Sequence, residues 1–481
     1  MKIAFVASEI APLAKSGGLA DVAGALPRHL KQLGHDVRLF MPLYSSIGHF
    51  GLESSVVAAA ENVRLNLGSH HYEFTLHESR LPGSDVPLYL IHCPAVYDRP
   101  TIYTTGVDEH LRFLVLQRAI IESCQRLSFA PEIMHCNDWH TSLIPLMLKT
   151  VYAWDRLFDA TRSILSIHNI GYQGIFANGT TYDIGGDLRG QLASDTLAGG
   201  SINWLREGIR HAHRVTTVSP TYANEICTPA GGHGLDADLR ARHDQIVGIL
   251  NGVDYSEWSP AADRYLKHKF SRDDLSGKLR TKRDFLDWLN LPVGDATPLM
   301  GIVSRLTIQK GFDLLFDSLA EILATRDLAL VALGSGDAKY EDFFSYLQRR
   351  FPDRVVFHRG YHEELAHLIE AASDMFLMPS LYEPCGLNQM YSLKYGTIPI
   401  VRKTGGLADS VQMWDGHTRQ GTGIVFNDFD TPAIRWAIHT ALDLHKDRDA
   451  WTQLMRNAMS QDFSWDRQAR EYLALYQGLM S

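Results

Sequence analysis

Short apolar runs alternate with helix-length amphipathic stretches along the whole chain, the pattern that parallel α/β sheets produce. The first run, residues 3–7, has no polar interruption, as expected for a strand covered on both faces. Runs of the same kind fall at 37–41, 86–92, 163–167 and 215–218, and a second series at 299–303, 328–333, 355–357, 375–378 and 398–401. Helical spacing lies between them, for instance over 24–33 and 313–324. The first series breaks near 245–251, and residues 254 to 298 are polar and strand-poor before the second begins. The spacing therefore predicts a domain boundary at residue 246. The last stretch, 451–480, has helical spacing and no strand partner.

Length agrees with two domains, because 481 residues exceed what one ordinary core organises. The composition, 45% hydrophobic and 21% charged, is that of a globular protein. A net charge of −9 argues against a nucleic-acid surface, which needs clustered Lys and Arg, and says little about a neutral substrate. Five scattered cysteines (Cys93, Cys124, Cys136, Cys227, Cys385) never form C-x-x-C, so reduced thiols and a cytoplasmic location are expected. The apolar N-terminal run meets Glu9 too early for a signal peptide, and no stretch reaches the ~20 apolar residues of a membrane span.

One heptapeptide occurs twice. Lys15-Ser16-Gly17-Gly18-Leu19-Ala20-Asp21 returns as Lys403-Thr404-Gly405-Gly406-Leu407-Ala408-Asp409, each copy between an apolar run and a helical pattern. Paired glycines let a backbone approach an anion, and the following helix start offers unpaired N–H groups and a positive dipole end. Two tight strand-to-helix turns without a ligand are the alternative; the repetition, with a Lys in each copy, favours diphosphate and sugar.

Two further segments carry chemistry. After the run ending at Val303, Arg305 and Lys310 flank a turn, and ligands of open α/β sheets bind beyond the carboxyl ends of strands. Arg grips phosphate as a fork and Lys as a point charge, although a solvated loop with ordinary surface charges has the same composition. After the run ending at Met378, Glu383 precedes a turn at Gly386 and a helix start. It can accept from sugar hydroxyls, or simply stabilise the helix dipole. Cys385 has no neighbouring base and reads as a pocket wall.

These segments, with His135-Cys136-Asn137-Asp138-Trp139-His140, Ser166-Ile167-His168-Asn169, Asn251-Gly252-Val253-Asp254 and Glu383-Pro384-Cys385-Gly386-Leu387, resemble in order the bacterial-type glycogen synthases, relatives of plant starch synthases, over essentially the whole chain. The resemblance implies two Rossmann-like domains facing across a cleft, the GT-B arrangement. Residues 1–245 would form the acceptor-side domain, 246–455 the nucleotide-sugar domain, and 456–481 a helix returning to the first. It implies ADP-glucose as donor, an α-1,4-glucan or glycogen primer as acceptor, retention at the anomeric carbon, and neither metal nor cofactor. By position, Glu383, Arg305, Lys310 and His168 take the catalytic roles, with the His168 carbonyl facing the anomeric carbon. Lys15, Gly17, Gly18, Asp138, Asn251, Tyr361, Gly386, Leu387, Asn388, Gly405 and Gly406 would line the donor, Tyr361 under the adenine. Tyr97 and Trp139 would line the acceptor side. Two departures stand out: Asn388 replaces the usual Thr, and Tyr391 occupies the place of a second Glu, so no second catalytic carboxylate is assigned. No paired-carboxylate nucleophile is evident, which suits front-face displacement.

Other signals are weaker. His362-Glu363-Glu364-Leu365-Ala366-His367 spaces its histidines five apart, about 140° around a helix, so a surface helix start is expected and not a zinc motif. Gly334-Ser335-Gly336-Asp337 reads as a strand-end turn, and Asp236-Ala237-Asp238 as a solvated loop. Tyr103, Trp139 and Trp204 could stack on sugar or pack in the core; packing is favoured for Trp204. The competing functions are the same fold with UDP-glucose or another acceptor, and a catalytically silent glucan-binding relative.

Overall fold

The computed structural model describes residues Met1–Ser481, His49 by its backbone alone. The chain divides into two compact units. One comprises Met1–Val218, Ala223–Gly252 and Trp465–Ser481; the other comprises Ser219–Tyr222 and Val253–Ser464. The changeovers at 252/253 and 464/465 lie 7 and 9 residues beyond those expected, for reasons visible in the packing. A short strand, Ile246–Gly248, joins the first sheet, and Trp465 packs against Gly252, where a Cβ would meet the indole at 2.4 Å.

The first unit is built on a sheet whose strands are β1 (Lys2–Val6), β2 (Asp36–Pro42), β3 (Ser55–Val56), β4 (Val63–Leu67), β5 (His70–Arg80), β6 (Pro87–His92), β7 (Ile133–Asn137) and β8 (Arg162–Ile167). A separate antiparallel pair, β9 (Ile175–Ala177) and β10 (Ser201–Asn203), follows, and then β11 (Arg214–Thr217) and β12 (Ile246–Gly248) rejoin the main sheet. Its order is β12-β11-β8-β7-β1-β2-β6-β5-β3, with β4 on β5. All pairings from β12 to β6 are parallel, and the β3–β5 region is antiparallel. The parallel strands are covered on both faces, which is why they read as uninterrupted apolar runs. The helix Gly18–Gln32 buries Leu19, Val22, Leu26 and Leu30, at helical spacing, and the C-terminal helix Trp465–Met480 packs beside it.

The second unit holds a six-stranded sheet of β13 (Leu299–Val303), β14 (Ala329–Gly334), β15 (Val355–Arg359), β16 (Met375–Met378), β17 (Ile398–Arg402) and β18 (Ile424–Phe426). Its order, β15-β14-β13-β16-β17-β18, is entirely parallel. The chain winds outward from β13 one way, then restarts at β16 and winds the other way. The carboxyl ends of β13 and β16 are therefore the topological switch point, where doubly wound sheets bind ligands. The helix expected over 313–324 is shorter, Leu319–Thr325, after two 3-10 turns. Asp313 is drawn instead to Lys339 and Tyr340. Asp236–Arg240 is a helix and not a solvated loop, because Asp238 pairs with Arg206 and Arg210. His362 caps the helix Glu363–Ala372 through the Leu365 N–H, whereas His367 is buried on Asp263. Among the described residues no helix is long and apolar enough to cross a membrane.

Candidate active site

At the switch point of the second unit the turn after β13 carries Arg305, exposed, and Lys310, half-buried. The Lys310 ammonium donates to Glu383 Oε2 at 2.6 Å, and Ser380 Oγ donates to the same oxygen at 2.9 Å. Glu383 is 5% exposed, so its charge is compensated by these two donors and not by bulk water. Behind it, the turn from Gly386 leads into the helix Asn388–Lys394. The N–H groups of Gly386, Leu387 and Asn388 donate to no acceptor among the described residues. Three consecutive free N–H groups at a helix start form a concavity suited to phosphate oxygens. The Asn388 side chain turns away, its amide donating to the Val303 carbonyl at 2.7 Å, so it ties the helix to the end of β13.

The second glycine pair serves this segment. A Cβ on Gly405 (φ +42°) would sit 1.9 Å from the Glu383 carbonyl oxygen, and one on Gly406 2.1 Å from that of Cys385. The Gly406 N–H donates to the Glu383 carbonyl at 3.1 Å. This copy of the repeat thus buttresses the Glu383 segment, and Gly406 lacks the free N–H that a phosphate would need. Tyr361, 78% exposed, follows β15, two strands from β13.

In the first unit the carboxyl ends of β1, β7, β8 and β12 bring Glu9, Asp138, His168 and Asn251 to one end of the sheet. The first glycine pair differs from its echo. A Cβ on Gly17 or Gly18 would meet nothing within 4 Å, so the backbone is open to a ligand. The N–H groups just before the helix, however, are already bound to Glu9: Ser16 N at 2.5 Å and Gly17 N at 3.2 Å donate to Oε2. Ser16 Oγ and Tyr103 Oη donate to Oε1 at 2.7 and 2.5 Å. Lys15 pairs with Asp21 at 2.6 Å on the surface. The expected diphosphate cradle is here a carboxylate-anchored turn that leaves the helix N–H groups from Gly18 onward for a ligand.

Asp138 has φ +55° and ψ −175°, a conformation costing of order 1–3 kcal/mol that clusters at functional sites. Its Oδ1 accepts the His168 N–H at 2.7 Å. Burial raises its pKa to about 7. His168 Nε2 donates to Asn137 Oδ1 at 2.9 Å, because the Asn137 amide nitrogen is itself donating to the Val6 carbonyl. Burial lowers His168 to about 3, so the ring is neutral. Asp138 and Asn137 therefore fix the backbone and the ring of His168 together. Asn251 is buried after β12.

Two acceptor-side expectations give way to packing. Tyr97 is fully buried, its hydroxyl donating to the Arg112 carbonyl at 2.9 Å, and offers no face to a glucan. Trp139 is 8% exposed among Phe113, His140, Phe176 and Trp204, and Trp204 is wholly buried. Glu9 is the residue that sequence reasoning missed. Its only signal was an acid directly after the first strand, ahead of the glycine turn.

The chain matches the family described as starch synthase catalytic domain over residues 2–241, and glycosyl transferases group 1 over residues 291–458. The glycogen synthase of Koribacter versatilis is 44% identical over 483 residues, 99% of this chain and 98% of its own. That of Thermotoga maritima is 42% identical over 491 residues, again 99% and 98%. Among solved structures, the catalytic domain of starch synthase IV from Arabidopsis thaliana, bound to ADP and acarbose, is similar with a TM-score of 0.90 and 33% identity, covering 100% of this chain and 99% of that one. Sucrose-phosphate synthase from Thermosynechococcus elongatus, at a TM-score of 0.59 and 17% identity over 99% of this chain and 98% of its own, shares the fold alone. With relatives this similar over their full length, a starch synthase catalytic domain and two doubly wound units, the chain belongs to the glycogen synthase and starch synthase family of glucan-elongating, GT-B type glycosyltransferases.

Proposed function

We propose that the protein transfers glucose from ADP-glucose to the non-reducing end of an α-1,4-glucan, with retention at the anomeric carbon. The reading rests above all on the switch point of the second unit. There, one buried carboxylate, two cations and three free N–H groups converge on the ends of β13 and β16. Departure of a nucleoside diphosphate builds negative charge, which Arg305, Lys310 and the N–H groups of Gly386, Leu387 and Asn388 meet without reorganisation. Glu383 accepts from the glucose hydroxyls and opposes the positive charge that develops on the sugar. Tyr361 carries the adenine. ADP in the similar starch synthase IV supports the choice of nucleotide, and its acarbose supports a glucan acceptor.

The first unit supplies Asp138, Asn251 and the open Gly17-Gly18 turn for the sugar side, with Lys15 as a further cation for the donor. The His168 carbonyl is aimed by the Asp138 and Asn137 bonds to its N–H and ring. In front-face displacement the leaving phosphate accepts the proton of the attacking hydroxyl while the carbon–oxygen bonds to leaving group and acceptor break and form on the same face. No carboxylate nucleophile is assigned. Initial rates with ADP-glucose and UDP-glucose on maltooligosaccharide primers, with the configuration of the new glycosidic linkage read by proton NMR, test the whole reading. Faster turnover with ADP-glucose and α-linked products are expected. A clear preference for UDP-glucose removes the donor assignment, β-linked products remove retention, and glucan binding without turnover with either donor leaves a scaffold.

A further inference from the structure

The first unit carries a second concentration of charge at the end of its sheet opposite to Asp138 and His168. Arg162 opens β8 and Arg214 opens β11, neighbouring parallel strands, so both lie at the amino ends. His213 precedes β11, and Arg242 lies just before β12, the next strand. Lys149 ends the helix Ile144–Lys149 and His211 ends the helix Trp204–His211, two helices that pack together. Four permanent or near-permanent cations and two histidines thus share one edge of a chain whose net charge is −9.

Ordinary surface cations are offset by nearby carboxylates, but these are not. Lys149, Arg162, Arg214 and Arg242 make no ion pair among the described residues. Asp195, Glu207 and Asp238 are engaged by Arg210, with Glu207 also 3.7 Å from His211, and Glu132, beside Arg162 at the start of β7, accepts the Lys2 N–H at 2.7 Å. The lack of compensation registers in the proton affinities. Burial, followed by Arg242 and Arg162, lowers Lys149. Burial, then Lys149, Arg210 and Arg242, lowers His211. Burial, then Lys149, Arg162, Arg242 and Arg214, pushes His213 down to about 4. Arg242 is lowered by burial and then by Arg214. Helix-end cations commonly serve the dipole, and Arg242 does so, donating to the Ile209 and Ala212 carbonyls at the end of the helix Trp204–His211. That role needs one cation and accounts for neither Arg162 nor Arg214, which stand at strand starts.

We propose that Lys149, Arg162, Arg214 and His213 form a binding site for the dianionic phosphate group of a small phosphorylated ligand, separate from the donor site. Arg162, Arg214 and His213 are half-buried and Lys149 is exposed, which gives a phosphate partial desolvation and several charge-assisted donors at once. His213 is oriented for this. Its Nδ1 accepts the Ser163 N–H at 3.0 Å, which places the ring proton on Nε2 as a further donor. A bound dianion removes the mutual repulsion that the free protein carries.

The test is thermal unfolding of the full chain with inorganic phosphate, with a hexose phosphate, and with sodium chloride at matched ionic strength. The parent and the double variant Arg162→Gln/Arg214→Gln are compared, and Lys310→Ala serves to disable the donor side. A saturable rise of about 1–2 °C with either phosphate compound, at a few times its dissociation constant, is expected in the parent and in Lys310→Ala. The double variant should lose that rise, and without phosphate should melt no lower than the parent. Equal response to both compounds identifies the phosphate group alone as the ligand, and a larger response to the hexose phosphate identifies its ester. Retention of the rise by the double variant, or its loss in Lys310→Ala, places the anion elsewhere and overturns the proposal. No response in the parent, or a double variant that melts lower than the parent without phosphate, overturns it as well.

Discussion

Glu383 and Lys310 form one functional group, because each neutralises the other in a setting that is mostly buried. Removing either leaves the second charge without its partner, and in the proposed reaction Glu383 meets the glucose and Lys310 the leaving diphosphate. Glu383→Gln and Lys310→Ala should therefore each lower kcat/KM by about 2–4 kcal/mol, roughly 30- to 1000-fold. Residues that act as a unit are not additive, so the double variant should lose much less than the sum. Steady-state kinetics on the four members of the cycle measure this, and strict additivity would separate the two roles. Asp138 makes a different prediction at the same scale. Burial holds its pKa at about 7, above the ordinary aspartate value of about 3.8, so between those values the folded chain holds a proton that the unfolded chain has released. The associated stability is present in full below pH 4, falls as pH rises toward 7, and is then constant. Asp138→Asn keeps an oxygen acceptor for His168 but cannot ionise. Its melting temperature should rise relative to the parent between pH 5 and pH 8, and a difference independent of pH would contradict the raised pKa.

At the scale of elements, the turn into the helix Gly18–Gln32 depends on a carboxylate from the end of β1. Glu9→Ala leaves two backbone N–H groups and two hydroxyls without the acceptor they share. A stability loss of about 2–4 kcal/mol is expected, seen as a lower urea midpoint with unchanged slope. Glu9→Gln, which keeps one carbonyl oxygen, should lie between. A Glu9→Ala variant as stable as the parent would show that the turn holds itself. The same element shows what the sequence could and could not disclose. Arg305, Lys310 and Glu383 were legible because apolar strands ended just before them. The repeat was legible as two turns, yet its copies diverge: one glycine pair faces open space, the other is pressed on the Glu383 segment. That divergence depends on neighbours far along the chain and leaves no local trace. β7 was missed because His135 and Asn137 point polar groups into the core, where Tyr476, Ser166 and Val6 satisfy them. β4 was available: Val63, Leu65 and Leu67 alternate with exposed Arg64 and Asn66, the period of a one-sided strand.

Across the first unit as a whole, the last helix closes the core that the first strands open. Trp465, Ala469, Tyr472 and Tyr476 of the helix Trp465–Met480 are buried, and Tyr476 Oη lies 2.6 Å from His135 Nδ1, across 341 positions of sequence. The His135 Nε2 is 2.6 Å from Ser166 Oγ, which in turn meets Thr216 Oγ1, so the tyrosine completes a chain through β7, β8 and β11. Burial, and next His168, lowers His135 to about 3, which keeps the ring neutral inside this chain. The unfolded ring, with the ordinary imidazole value of about 6.5, binds its proton sooner, so the network is at full strength above about pH 6.5 and weakens as pH falls toward 3. His168, also held near 3, adds to the same acid sensitivity. Tyr476→Phe removes one hydroxyl and strands His135 Nδ1 in the core, a loss of about 1–3 kcal/mol above pH 6.5. Because only the neutral ring is native, that loss should be equal at pH 7 and pH 8, while parent and variant alike become less stable from pH 6 to pH 4. Urea unfolding across those four conditions decides it: a Tyr476→Phe variant indistinguishable from the parent would mean that the aromatic ring alone seals the core, and a parent insensitive to acid would mean that the buried rings titrate as free histidines do.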